Sequence, residues 1–120
     1  MNAIAKHAAL AAKLLATHPD LPAPTAVDLH NEITSFWWAV SMQMRHLVDV
    51  VQWAKAHHAG VQAVAYDDHV MVQTVFTVDG IEVKAWDHAP ADSPALTGIE
   101  LPLREPVEVD PQIFFPAATA

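Results

Sequence analysis

Histidine is the residue type in this 120-residue chain best suited to chemistry, and it occurs eight times. Imidazole serves both metal binding and proton transfer near neutral pH. His46 and Asp49 stand three apart in an apolar-periodic segment, so a helix there would set them on one face, as the single weak metal candidate. A zinc site needs three or four converging ligands, and neither HExxH nor a paired H-x3-H occurs. His57-His58 close the same segment, where a histidine ordinarily answers the helix dipole. His30-Asn31-Glu32 has the H-x-E of zinc deaminases, but the P-C-x-x-C half of that signature needs cysteine, and the chain has none.

The carboxylates give as little. Asp67-Asp68 precede His69, and Asp87-His88 follow an alternating apolar run. Aspartate in turns mostly bonds the local backbone, and acid–base work needs one carboxylate in a dry pocket. Ser35, Ser41 and Ser93 are the serines, and none stands in G-x-S-x-G. Three isolated glycines offer no phosphate cradle. The expectation is a non-enzyme without a cofactor. The alternative, a histidine–carboxylate metal-binding protein or small enzyme, requires three such side chains to converge.

Aromatic residues point to binding instead. Trp37, Trp38, Trp53 and Trp86 are many for this length, and a strand sends Trp37 and Trp38 to opposite faces. If Trp38 joins the core with Phe36, Trp37 falls on the other face together with Trp86. A face with two tryptophans tends to mark an interface unless the chain covers it itself.

Composition bounds the rest. With 52% apolar and 17% charged residues, the chain can build a core and is not disordered over most of its length. Its net charge of −8 leaves no basic stripe for phosphate contacts, so no nucleic-acid partner is expected. No apolar run reaches the roughly 18 residues of a membrane span, and no signal peptide opens the sequence. A soluble, cytoplasmic protein is expected.

These residues must be positioned by a small set of elements. Asn2 to Thr17 reads as a helix with Ile4, Ala8, Ala11, Leu14 and Leu15 in its stripe, capped by Asn2 and stopped before Pro19. Pro19, Pro22 and Pro24 make a stiff connector. Two readings compete for Thr25 to Val40. One is a hairpin of two strands around Asn31-Glu32, setting Val27 opposite Phe36 and Leu29 opposite Thr34. The other is a long helix from Glu32 to His58. Weak helix formers from Thr34 to Trp38 favour the hairpin. A helix capped by Ser41 then runs from Met42 to about His58, burying Met44, Leu47, Val48, Val51 and Ala54, with Gly60 as its left-handed stop.

Val61 to Tyr66 alternates weakly as a strand. His69–Val78 and Ile81–Trp86 flank Asp79-Gly80, the signature of a type I′ hairpin. That turn sets Val78 opposite Ile81, Phe76 opposite Val83 and Thr74 opposite Ala85 on the core face. Val75 with Lys84 and Gln73 with Trp86 lie on the other. Phe76 and Val83 are expected to be buried, Glu82 and Lys84 accessible.

After Ala89 the prolines concentrate and exclude a helix or a central strand. Ile99, Leu101, Leu103, Val107, Val109, Ile113 and Phe115 keep a period of two, the pattern of an extended segment with one side buried. The fold expected is therefore α+β: an N-terminal helix, then β-β-α-β-β as a small antiparallel sheet with one helix packed on it. Residues 1–88 form that domain, and 89–120 an extended proline-rich segment packed on the domain or on a partner.

Leu21-Pro22-Ala23-Pro24, Val27-Asp28-Leu29-His30, Trp53-Ala54 and Gly80-Ile81-Glu82-Val83 ahead of Trp86 carry a resemblance. From Leu21 to His88 the chain resembles short uncharacterised α+β proteins of high-GC Gram-positive bacteria and their phages. The resemblance implies the order strand, strand, helix, strand, strand after an N-terminal helix, and no site residues. The functional expectation is a small acidic interaction module, an accessory or inhibitory protein of a phage or mobile element. It would bind a protein partner or a second copy through Trp37, Trp86, Leu101, Leu103, Val109 and Phe115.

Overall fold

The fold is described by a computed structural model covering residues 2–31 and 38–115. In chain order the elements are α1 (Ala3–Thr17), β1 (Ala26–Leu29), β2 (Val40–Gln43), α2 (Leu47–Ala56), β3 (Val61–Ala65), β4 (His69–Val78), β5 (Ile81–Pro90) and β6 (Val107–Val109). Short 3₁₀ turns at Pro94–Leu96 and Pro111–Phe114 flank the last strand's approach and exit. The chain is α+β, and its sheet has six strands in the order β1-β2-β5-β4-β3-β6. The sheet is mixed, not antiparallel as expected, because β2 runs parallel to β5.

The Asn2 side chain caps α1 by accepting the Ala5 N–H at 2.8 Å. The buried face is His7, Leu10, Ala11 and Leu14, while Ile4 and Ala8 of the expected stripe are exposed. His7 supplies the reason: its Nδ1 lies 2.6 Å from the His30 carbonyl oxygen, and satisfying that polar atom lets the ring be buried.

The hairpin expected around Asn31-Glu32 is replaced by a wider one. Val27 stands opposite Met42 and Leu29 opposite Val40, not opposite Phe36 and Thr34. Residues 32–37, Trp37 among them, lie outside the described residues. Ser41 sits inside β2 and caps nothing, and α2 begins only at Leu47 with His46 as N-cap. Val40, Met42 and Met44 are all fully buried at alternate positions. Val40 faces Val83 and Met42 faces Ala85 across the parallel pair. A strand buries all three apolar side chains on one side, which a helix starting at Met42 would not.

α2 buries Val50, Val51, Trp53 and Ala54, with Leu47 and Val48 partly covered. Its stop is not Gly60. His58 takes the left-handed conformation (φ 53°). The Ala59 N–H bonds the Ala54 carbonyl and the His58 N–H bonds the Lys55 carbonyl, a Schellman closure.

The Asp79-Gly80 hairpin has the anticipated register at every rung from Val78–Ile81 to Gln73–Trp86, and the ladder runs on past the expected end to His69–Pro90. Both turn residues have positive φ, 51° and 78°, as a type I′ turn requires. α1 and α2 pack into one cluster with Val40, Met42, Val61, Ala63, Val72, Phe76, Val83 and Ala85, so both helices cover the same face of the sheet. Trp53 is fully buried there, and its indole N–H donates to the Pro22 carbonyl at 2.8 Å, pinning the proline connector.

A boundary after His88 falls inside β5, which continues to Pro90. β2 pairs with β5 only as far as Trp86, so the last rungs of β5 are bonded on one side, and a terminal proline is tolerated there. The segment that follows returns to its own domain. β6 adds to the free side of β3. Leu96 and Phe114 are buried, and Ile99, Leu101, Val109, Ile113 and Phe115 pack partly buried against the core.

Candidate functional site

The hairpin register and the parallel β2–β5 pair together determine which side chains share the face opposite the helices. Asp28, Ser41, Lys84 and Val75 form one row across β1, β2, β5 and β4. Gln43, Trp86, Gln73, Gln62 and Glu108 form the next, from β2 to β6. Within these rows the Trp86 indole donates to Ser41 Oγ at 2.9 Å, and the Gln73 amide donates to Gln62 Oε1 at 3.0 Å.

Trp38, just before β2, lies over this face. The Lys84 ammonium stands 5.2 Å from the Trp38 ring centroid and 5.7 Å from that of Trp86. It also contacts Met71 Sδ at 3.7 Å, a weak acceptor. Lys84 is thus half-buried where an accessible side chain was expected. Its flat, apolar neighbours explain why, since the lysine stem packs along them and the ammonium meets two ring faces. Burial holds its pKa below the usual lysine value. Among the described residues no carboxylate forms an ion pair with it; the ion pairs there are Lys13–Asp79, His69–Asp68 and Arg104–Asp67. The Trp38 indole N–H is buried and has no acceptor among the described residues.

Around Lys84 the face is concave. A cleft of 150 Å³ lies toward β1, between Asp28, His30, Ser41 and Trp86. A larger one of 530 Å³ lies toward β3, bounded by Val64, Tyr66, Gln73, Arg104 and Pro106. Trp38, Met71 and Lys84 line both, so the two are halves of one groove running across the strands.

The other candidates are structural. Asp49 Oδ2 accepts the His46 backbone N–H at 3.1 Å, which commits that carboxylate to capping α2. Among the described residues no three histidine, aspartate or glutamate side chains converge to hold a metal. Asp68 is exposed beside His69, whose hydrogen bond and charge hold its carboxyl below the usual range. Asp87 faces the core side, and burial raises its pKa. His88 points outward and is exposed, so Asp87 and His88 form no dyad.

Of the binding residues read from the sequence, Trp86 sits in the groove. Leu101, Val109 and Phe115 do not join it, being packed against the chain's own core. Leu103 is 59% exposed and lines neither half of the groove. Sequence reasoning missed Trp38, Lys84 and Met71. The hairpin register, which places Met71, Lys84 and Trp86 on one face, carried the signal for Lys84 and Met71; Trp38, read as a core residue beside Phe36, lies instead over the outer face against Lys84.

No protein-family profile matches the chain, and neither the curated proteins nor the solved structures contain a match. No helix among the described residues is long and apolar enough to cross a membrane.

Proposed function

We propose that the chain is a non-enzymatic, cytoplasmic protein-interaction module that takes its partner on the outer face of the sheet. The observation that supports this reading best is the groove around Lys84. It is lined by tryptophan, methionine, tyrosine and one desolvated cation, the composition that concentrates binding energy at interfaces. Self-association through the C-terminal segment is disfavoured, because its Ile99, Leu101, Val109, Ile113 and Phe115 side chains are engaged on the chain's own core. The resemblance between Leu21 and His88 adds an accessory or inhibitory role in a phage or mobile element to the same reading.

The test is selection of binding peptides from a random dodecapeptide library, followed by competition between surface variants. Met71→Arg fills the groove, whereas Ile4→Arg alters an exposed apolar residue on α1 (39% exposed). The reading expects Met71→Arg to abolish binding and Ile4→Arg to leave it unchanged, with both variants folded by circular dichroism. Binding that survives Met71→Arg would contradict it.

A further inference from the structure

We infer that the groove recognises an acidic peptide segment, with a partner carboxylate seated between Lys84 and Arg104 and apolar neighbours laid on Trp38 and Met71. The inference rests on the outer face being the interaction surface.

Charge distribution favours this ligand. The chain has 14 acidic and six basic side chains, yet the larger half of the groove is lined by two of the bases, Lys84 and Arg104, and by no carboxylate among the described residues. On a surface of net charge −8 this is a local inversion of sign. A peptide carboxylate is attracted there and repelled from most of the remaining surface. Asp28 and His30 line the smaller half, which orients the ligand: its negative group belongs on the β3 side of Lys84.

The two cations are unequal. Arg104 is largely exposed and 3.9 Å from Asp67, a loose surface pair that a ligand displaces at little cost. Lys84 is held by two ring faces and a thioether, with no anion paired to it among the described residues. A half-buried ammonium in that state gains more from an arriving carboxylate than an exposed one does, because water screens the contact less. These donors are side chains and not a row of backbone N–H groups, so the anchor is an Asp or Glu side chain, not a chain terminus.

The experiment sequences the library peptides displaced by Met71→Arg and measures their affinity for three Lys84 variants. Lys84→Met keeps the buried stem and removes the charge, Lys84→Gln removes the charge and shortens the stem, and Lys84→Arg keeps a cation. The expected result is enrichment of Asp or Glu beside apolar residues. Affinity should fall about tenfold or more in Lys84→Met and Lys84→Gln and recover in Lys84→Arg. Affinity for the native groove should also weaken as salt rises. Selected peptides without an acidic residue, or affinity indifferent to Lys84→Met, would overturn the acidic anchor while leaving the interaction surface standing. Peptides bound elsewhere, indifferent to Met71→Arg, would overturn both.

Discussion

The imidazole of His57 lies flat on the ring of Phe76, with centroids 3.9 Å apart and planes within 5° of parallel. Trp53 continues the stack 6.1 Å from His57, and His18 meets His57 edge-on at 5.1 Å. This ties the end of α2, the close of α1 and the C-terminal part of β4 into one aromatic cluster. His57 Nε2 is buried in it without a hydrogen-bond partner among the described residues. Burial lowers the pKa of His57, and the positive charges that His18 and His58 can carry lower it further.

That shift makes stability depend on pH in a definite direction. A base whose folded pKa is depressed is neutral in the folded state while the unfolded chain takes up a proton. Its contribution is therefore complete above about pH 6.5 and is lost as pH falls through the folded value. The thermal midpoint should drop between pH 7.5 and pH 5, and His57→Phe, which keeps the stack, should flatten that drop. A variant that loses stability on acidification as steeply as the native chain would contradict this role.

Asp87 predicts the opposite sign. Burial raises its folded pKa above the unfolded value, with a smaller contribution from Asp49, while the His88 N–H and the charges of His88 and His46 oppose the rise. The neutral form is the one the fold favours, so stability is lost as pH rises through the folded pKa. Asp87→Asn should melt higher than the native chain at pH 7, with the difference shrinking toward pH 4. Differential scanning calorimetry at both values decides it, and a lower midpoint at pH 7 would count against the burial argument.

Legibility in the sequence follows the range of the physical signal. Asp79-Gly80 is a local turn whose backbone demands fix every rung beyond it, so Phe76–Val83 and Lys84–Val75 are readable from the turn and the alternation alone. β2 is hidden because Val40, Met44, Leu47 and Val51 satisfy a helical period. The strand signal is the alternation Val40-Ser41-Met42-Gln43-Met44, and only burial against β5 decides between the two. The same ambiguity conceals the groove. Trp86 stands on the outer face from sequence alone, but its partner Ser41 arrives on β2, and Trp38 just ahead of it, through a parallel pairing with β5 that no local rule announces. Leu101, Val109 and Phe115 have the right period for a binding strand. That β3 leaves a free side for the chain's own β6 is a tertiary fact.

Phe76 is 7% exposed and carries both the hairpin core and the His57 stack. Phe76→Ala should cost about 3–5 kcal/mol in urea unfolding, against no more than about 0.5 kcal/mol for Thr77→Ala, its exposed neighbour. Comparable losses at the two positions would refute the register that separates them.

Truncation after Pro94 removes Leu96, Val109 and Phe114 from the core and strips β6 from β3. The shortened chain should melt well below the full one, with light scattering showing the same association state for both. An unchanged midpoint together with a loss of association would return the C-terminal segment to the binding role that its packing argues against.

A partner seated in the outer groove beside Lys84 is read most plainly by the indole signals. Trp38 and Trp86 flank Lys84, whereas Trp53 is fully buried on the other face and bonded to Pro22. Titrating the ¹⁵N-labelled protein with a library-selected acidic peptide should move the Trp38 and Trp86 indole resonances and leave that of Trp53 in place. Trp38 and Trp86 signals unmoved at saturating peptide would contradict occupancy of the groove.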